Sequence, residues 1–496
     1  MIKTKQEYHD RLFNLKPNIF IGGLPVGRDD ARLRPGINVL DITYDLAGDP
    51  KFSGLISTTS HLTGEEINRW NHLPQNPYDL MQKQKMIRIG ARRAGGCIQR
   101  CMGQDAIIAL AVCTKEMEDS VGIDYHQRFL NYLKWYQAND LDGCCAQTDS
   151  KGDRLKRPHE QANPDAYVHV VEKRPDGIVV SGYKMSITQA AYADEIFVLP
   201  TRALMEEDRD FAVAFAVPAD AEGVKIITRP VWLRDKDDPE ASPFCRHGVS
   251  DSVIVFENVF IPEDRVFMCG EWRFGRRMAM LFANSHRHSY CGCKPALSDI
   301  LCGASILAAE ANNVHRVSHV REKLAEFAIA SSLAYAAGVS AALFGEKTSS
   351  GVFFPNSIYA NVGRHLTGEL IYHEYNLLTE IAGGIAATLP FHEDFKAGEN
   401  MDHLAKFIVR NPGFSAEESL KIWKFVEDIG TSPMASWYKI AGVHGGGSPI
   451  METIALNAEY DFDDKKKLAR YLAGLDDQAD DSAIFNIEPS FGDRLC

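Results

Sequence analysis

The hydrophobic period changes twice along the chain, and this limits its fold more than any other feature of the sequence. To about residue 135 the apolar residues recur at helical spacing, as in DYHQRFLNYLKWYQAN with Phe129, Leu130, Leu133 and Tyr136. Ser60 and Thr63 before EEINRW predict a helix start, and a second helix is expected from near Gly96 through CIQRCMGQDAIIALAVCTKEM. From about 136 the runs shorten and Pro or Gly punctuates them. Tyr167 to Lys173 and Ile178 to Lys184 flank Arg174-Pro175-Asp176-Gly177, which predicts a hairpin. EIFVLP, FAVAFAVP, VKIITRP and SVIVFENVFIP follow as further strands, suiting an antiparallel sandwich or barrel. Ala-rich helical segments return after about 275. The expected class is α+β: an N-terminal helical domain (1–135), a middle β domain (136–275), a helical bundle (276–475) and an acidic tail (476–496).

Charge narrows the function. Lys and Arg number 54 against 67 Asp and Glu, a net charge of −13, which argues against a general nucleic-acid binder or a polybasic membrane-surface protein. The start, MIKTKQEYHDRLFNL, has no apolar signal core. The uncharged run Phe327 to Gly345 is long enough to span a bilayer. Its Ala, Ser and Gly content and its charged ends suit a tightly packed buried helix instead. Eleven cysteines, an odd number, predict reduced thiols and a cytoplasmic protein. No glycine-rich dinucleotide fingerprint follows a strand.

Five segments carry donors in patterns that suit chemistry. Cys97 and Cys101 are i and i+4, one face of a helix, and read alone are either packed thiols or half a metal site. Ser285 to Lys294 contains His286 and Cys293, two helical turns apart on one face. Together these make a Cys₃His set, which suits structural zinc or an iron–sulfur cluster; two distant pairs fit a cluster bridging two domains better. Gln147 to Arg154 mixes donors, acceptors and a glycine, as either a cofactor grip or a surface loop. Glu380-Ile381-Ala382-Gly383-Gly384 and His444-Gly-Gly-Gly-Ser-Pro449 permit close backbone approach, with flexible linkers as the alternative.

Taken in order from about residue 7 to 475, the segments INVLDITYDLA, CIQRCMGQDA, TDSKGDR, VEKRPDGIVVSG, VIVFENVFIPEDRVF, HRHSYCGCK, EIAGG and HGGGSP resemble the 4-hydroxybutyryl-CoA dehydratase family. That family is similar in fold to acyl-CoA dehydrogenases and to flavin-dependent 4-hydroxyphenylacetate 3-monooxygenases, which lack the Cys-x₃-Cys plus His-x₆-Cys set. The resemblance implies an acyl-CoA-dehydrogenase-like fold and a [4Fe–4S] cluster on Cys97, Cys101, His286 and Cys293. It implies FAD held by Gln147, Thr148, Asp149, Ser150, Lys151, Gly152, Asp153 and Arg154, by Ser186, Ile187 and Thr188, and by Glu380, Ile381, Ala382, Gly383 and Gly384. It also implies a homotetramer with FAD near subunit contacts, and radical dehydration of a small-molecule hydroxyacyl thioester. In that chemistry His286 is a weak iron ligand and the α-base, Tyr290 bonds the hydroxyl or substrate, and Asp251 is a second acid–base group. Gln99 and Arg100 sit between the thiolates, placed to tune them; an ion-pair role is the alternative for Arg100.

Two departures from the family pattern point to a shifted substrate or a lost isomerase activity. Ala441 stands where the family has a glutamate three residues before the His of the glycine loop. Asp251 replaces a second glutamate, shortening its reach by about 1 Å. His288 and Cys291 are extra donors near His286. Two other readings are a two-component flavin-dependent aromatic monooxygenase, which needs no iron, and a non-catalytic assembly homologue.

Overall fold

Asn76 accepts a hydrogen bond from the Asp79 N–H and Pro77 pre-sets the first turn, so helix α1 (Pro77–Ala94) starts there. A computed structural model describes residues 2–230, 243–396 and 398–475. The acidic tail 476–496 lies outside the described residues. The stretch EEINRW is not a helix: Glu66–Asn68 pairs as a short antiparallel strand with Ser57–Thr59, and Arg69–Asn71 is a single 3₁₀ turn. Gly64, at a φ of 76°, makes that reversal, and the pairing overrides the capping pattern.

α1 ends at Gly95 in the left-handed region, and α2 (Cys101–Val121) begins only at Cys101. Gly96 and Gln99 also take positive φ, at 143° and 65°. Cys97 therefore lies in a loop, and the expected shared helix face with Cys101 is replaced by a loop folded back before a helix start. The expected third helix forms at Tyr125–Ala138.

The middle region is two packed sheets. One has six strands in the order Leu24–Val26, Ile19–Ile21, Val224–Arg229, Asp251–Pro262, Gly177–Thr188, His169–Arg174. The other has four: Val266–Cys269, Val213–Pro218, Glu195–Val198, Gly143–Ala146. Ile196, Phe215 and Val217 of the smaller sheet join Val180, Ile226 and Ile254 of the larger in one buried core. The hairpin closes with Arg174 opposite Gly177 across Pro175-Asp176. Two pairings are parallel, Ile19–Ile21 with Val224–Arg229 and Gly143–Ala146 with Glu195–Val198, so the sandwich is mixed. The segment before residue 135 is thus not wholly helical, since it supplies two strands to this sheet.

Beyond the sandwich, α3 (Gly275–Ala311) is the axle of the molecule. It packs against α1, α2, α4 (Ser318–Leu343) and α5 (Ser357–Ala382). α6 (Pro433–His444) and α7 (Pro449–Glu459) close over its middle through α5. The segment containing α3 and α4 are both long and apolar enough to cross a membrane by length and composition. α3 is largely interior. α4 differs from the expected fully buried helix: Phe327, Ala334 and Gly338 face inward, whereas Ile329 and Leu333 are exposed. A run of small residues lets one face pack closely without requiring the other to be covered.

Candidate active site

The candidate site forms where the loop before α2 meets the middle of α3. His286, Tyr290 and Cys293 share one face of α3, and all are buried. Cys101 is the first residue of α2, where unpaired helix N–H groups favour an anion. Cys97 is partly buried in the loop. Burial pushes the Cys97 thiol up to about 12, with a further push from Cys293. Burial likewise raises Cys101, helped by Asp105, Cys97 and Cys293. The three thiols are therefore near enough to oppose one another's ionisation, and each is free of any disulfide. Buried sulfurs grouped in this way around an imidazole fit a soft metal centre.

The loop is fastened from outside. Gln99 Nε2 donates to the Gly248 carbonyl at 3.1 Å, and its Oε1 accepts the Tyr192 hydroxyl at 2.5 Å. Arg100 turns away into a buried pair with Asp140 at 2.6 Å, donates to Thr43 at 3.0 Å, and lies over the Tyr44 ring. Arg100 thus takes its ion-pair reading, and Gln99 holds the loop's left-handed turn in place.

Asp105, one turn along α2 from Cys101, is the residue that motif reading missed. One of its carboxylate oxygens, Cys101 Sγ and an imidazole nitrogen of His286 all lie within 4.8 Å of one another. Oδ2 pairs with His286 Nδ1 at 2.8 Å; Oδ1 accepts Lys83 Nζ at 2.5 Å and Ser285 Oγ at 2.8 Å; Ser289 Oγ reaches both oxygens. Burial works to raise this carboxyl, but Lys83 and His286 outweigh it and hold it at about 2. The sequence signal was a lone acid within the otherwise apolar stretch of CMGQDAIIALAV.

Tyr290 stands edge-on to the His286 ring, with centroids 5.0 Å apart, and donates to the Ala441 carbonyl at 3.1 Å. Ala441 thus meets the site through its backbone. The glycine loop 444–449 is not a free linker. Arg364 donates from Nε to the Gly445 carbonyl and from Nη2 to the Val443 carbonyl, both at 2.8 Å. Arg287 Nε donates to the Gly446 carbonyl at 3.0 Å. A Cβ on Gly445 would overlap the Tyr290 hydroxyl, and one on Gly446 would sit 3.5 Å from the His286 ring. The glycines are what bring this backbone against the imidazole. His288 and Cys291 face elsewhere: Cys291 Sγ fills the space beside Gly363, in the α3–α5 packing.

Asp251 reaches the same corner from the β domain. Thr188 Oγ1 donates to its Oδ1 and Trp437 Nε1 to its Oδ2, each at 2.7 Å. Its charge also acts on Cys97.

The segments expected to grip FAD are arranged differently. Gln147 donates to the Ala279 carbonyl, the Thr148 carbonyl accepts from Met185, and Ser150 donates to the Ala166 carbonyl. Asp149 is buried against Lys184 at 2.8 Å and accepts the Val168 N–H. Asp153 accepts the Leu155 N–H, and Arg154 is exposed. Lys151 and Gly152 have positive φ, as does Ser186 just before buried Ile187 and Thr188. Burial lowers the pKa of the Lys151 ammonium, helped by the charges of Arg154, Lys184 and Arg202 and opposed by that of Asp149. Beside the loop lies a small, narrow cleft lined by Asp149, Tyr167, Lys184, Arg202 and Phe211. Glu380, Ile381, Ala382, Gly383 and Gly384 form the far end of α5. Glu380 pairs with Lys323 and Asn376, and the Ile381 and Ala382 carbonyls accept from Asn312. Among the described residues no hydrogen bond links this turn to 147–154.

Comparison with known proteins gives the class first. Residues 4–268 match the family model described as 4-hydroxyphenylacetate 3-hydroxylase N terminal, and 276–474 match its C-terminal counterpart. The oxygenase component of 4-hydroxyphenylacetate 3-monooxygenase from Thermus thermophilus is 25% identical, over 91% of this chain and 93% of its own. A solved structure of such an oxygenase component superposes with a TM-score of 0.86 at 24% identity, covering 95% and 98% of the two chains. The architecture is the expected α+β, acyl-CoA-dehydrogenase-like one. The 4-hydroxybutyryl-CoA dehydratase/vinylacetyl-CoA-Δ-isomerase of Clostridium aminobutyricum is 36% identical, over 96% of this chain and all of its own. The structure of an archaeal 4-hydroxybutyryl-CoA dehydratase from N. maritimus has a TM-score of 0.93 at 33% identity, covering 99% and 100%. The chain belongs to the 4-hydroxybutyryl-CoA dehydratase family and is an enzyme of the hydro-lyase type.

Proposed function

We propose that the protein is an FAD- and [4Fe–4S]-dependent dehydratase acting on a 4-hydroxybutyryl-CoA-like hydroxyacyl thioester. The observation that carries this reading is the single buried corner holding three thiols and His286 beside Tyr290. Cys97, Cys101, Cys293 and His286 would hold the cluster, and that donor set suits it because the three sulfurs are free of disulfides and near enough to act on one another's ionisation.

Eliminating water from such a substrate requires loss of a β-hydrogen, which a thioester does not acidify. When bound, the flavin supplies reversible one-electron chemistry that acidifies this position, and the cluster supplies a Lewis acid for the departing hydroxyl. When its free nitrogen is not engaged with iron, which it would hold only weakly, His286 would remove the α-proton: the Cα–H bond breaks, an N–H bond forms at that nitrogen, and the electron pair enters the thioester enolate. Tyr290 hydrogen-bonds the substrate hydroxyl. Asp251, aimed by Thr188 and Trp437, moves a second proton. The glycine loop excludes water from the His286 face.

FAD lies along 147–154 and 186–188, and the 380–384 turn reaches it from a neighbouring subunit of a homotetramer. The exposed face of α4, with Ile329 and Leu333, suits such a contact. The nine described cysteines, all free, suit a reducing cytoplasm. Ala441 offers no carboxylate for the family's proton transfer, which favours an altered substrate or absent isomerisation.

Anaerobic purification, followed by flavin, iron and sulfide analysis and a 4-hydroxyacyl-CoA assay, tests the proposal. A brown, flavin-containing protein that dehydrates a thioester supports it. Colourless protein that takes up no iron defeats it, and oxygen-dependent hydroxylation of a phenol with reduced flavin would replace it with the monooxygenase reading.

A further inference from the structure

Every lone pair that Asp105 can offer is already engaged. Oδ1 accepts Lys83 and Ser285, Oδ2 faces His286, and Ser289 lies 3.1 and 3.0 Å from the two oxygens. Lys83 Nζ lies 3.2 Å from Ser285 Oγ, so the lysine also orients the serine that donates to the acid. An acid ringed by an ammonium and two hydroxyl donors accepts from its fourth neighbour as well, so His286 Nδ1 carries the proton. Nε2 then keeps its lone pair. The ring cannot turn over without breaking the 2.8 Å bond, and Phe282 stacks on it at 5.6 Å.

We propose that Asp105 is a positioning residue that locks His286 in the Nδ1–H tautomer and thereby makes Nε2 the only imidazole atom offered to the site. The proposal deepens the cluster reading given above and rests on it for what Nε2 meets. It assigns Asp105 as a holder of the histidine and not a metal ligand, although its oxygen lies within ligating range of Cys101 and His286.

Asp105→Asn is the discriminating change. Lys83 and Ser285 need an acceptor, so the amide oxygen faces them and the NH₂ faces His286. Nδ1 must then accept, and the proton moves to Nε2. Two measurements read this. Solid-state ¹⁵N NMR of metal-free protein labelled on histidine should show His286, assigned by its loss in His286→Gln, as the Nδ1–H tautomer, switching in Asp105→Asn. In reconstituted holoenzyme, Asp105→Asn should release iron to a chelator about 10- to 100-fold faster than wild type. Ser289→Ala, which leaves the carboxylate in place, should change neither reading. An Nε2–H tautomer in wild type overturns the proposal without any variant, should Asp105→Asn fail to fold. Equal tautomer and iron-release rate in wild type and Asp105→Asn overturn it too. Wild-type protein that takes up no iron but shows the Nδ1–H tautomer defeats the cluster reading and supports the histidine lock.

Discussion

The thiol–imidazole corner and the 147–154 loop are both rich in polar side chains, yet they use them in opposite ways. In the corner, Asp105, Gln99, Tyr192 and Trp437 form a surrounding layer whose bonds hold other groups still. The three thiols stay close enough to oppose one another's ionisation, and an imidazole nitrogen of His286 lies within 4.8 Å of Cys101 Sγ. In the loop, Gln147, Asp149, Ser150 and Asp153 bond their own chain, leaving backbone and cations for a ligand. Side chains held by a second layer suit a centre that needs fixed ligand geometry. A loop whose side chains are already engaged with the surrounding protein suits a cofactor recognised by shape and charge.

The comparison can be broken from either side. Cys101→Ser should lower thioester dehydration by at least about 10³-fold, the scale of losing an electrophilic stabiliser. Its thermal midpoint in the metal-free state should stay near wild type, and iron analysis should show the loss. Lys184→Ala should do the reverse. Removing one partner of the buried Lys184–Asp149 pair should destabilise the fold by about 3–5 kcal/mol in denaturant melts. The double change Lys184→Met with Asp149→Leu should recover most of that.

Gly445→Ala tests how closely the glycine loop must approach. Its Cβ overlaps Tyr290, so the expected cost is about 1–3 kcal/mol of stability, with turnover reduced about 100-fold. Trp437→Phe removes one of two donors from Asp251, and turnover should fall about tenfold, the worth of one such bond.

The smallest effect is a pH slope from Glu374, which meets the thiol corner only through Lys294. Burial pushes Glu374 up to about 8, Lys294 only partly offsetting it. The folded state thus favours the protonated acid. The associated stability is fully present below the unfolded pKa near 4.5 and is lost as pH rises through about 8. Melts of Glu374→Gln should lose that slope and exceed wild type at pH 8.

Much of the scaffold was legible because its signals are local. The Pro175-Asp176 hairpin, the strands around 195, 213, 224 and 251, and the helix at 125–138 follow from period and turn chemistry. EEINRW misled because pairing with residues 57–59 overrode a capping pattern. The Cys97–Cys101 helix face failed for a subtler reason. Gly95 and Gly96 end one helix, while Gln99 adopts a left-handed turn that only contacts from Gly248 and Tyr192 explain. Asp105 carried no motif, since a single acid on a helix has no meaning until its neighbours are known.

The order of residues alone determined the succession of helices, sandwich and bundle, and the identity of the thiols and imidazole available for a metal, because periodicity, turn residues and donor chemistry are properties of short stretches. Tertiary structure decided which of those donors converge, which nitrogen of His286 is engaged, and how close the glycine loop comes. Lys83, Asp105 and Ser285 meet only when α1, α2 and α3 pack, Arg364 reaches the glycine loop only when α5 joins them, and burial is what gives these hydrogen bonds and charges the strength to hold one arrangement.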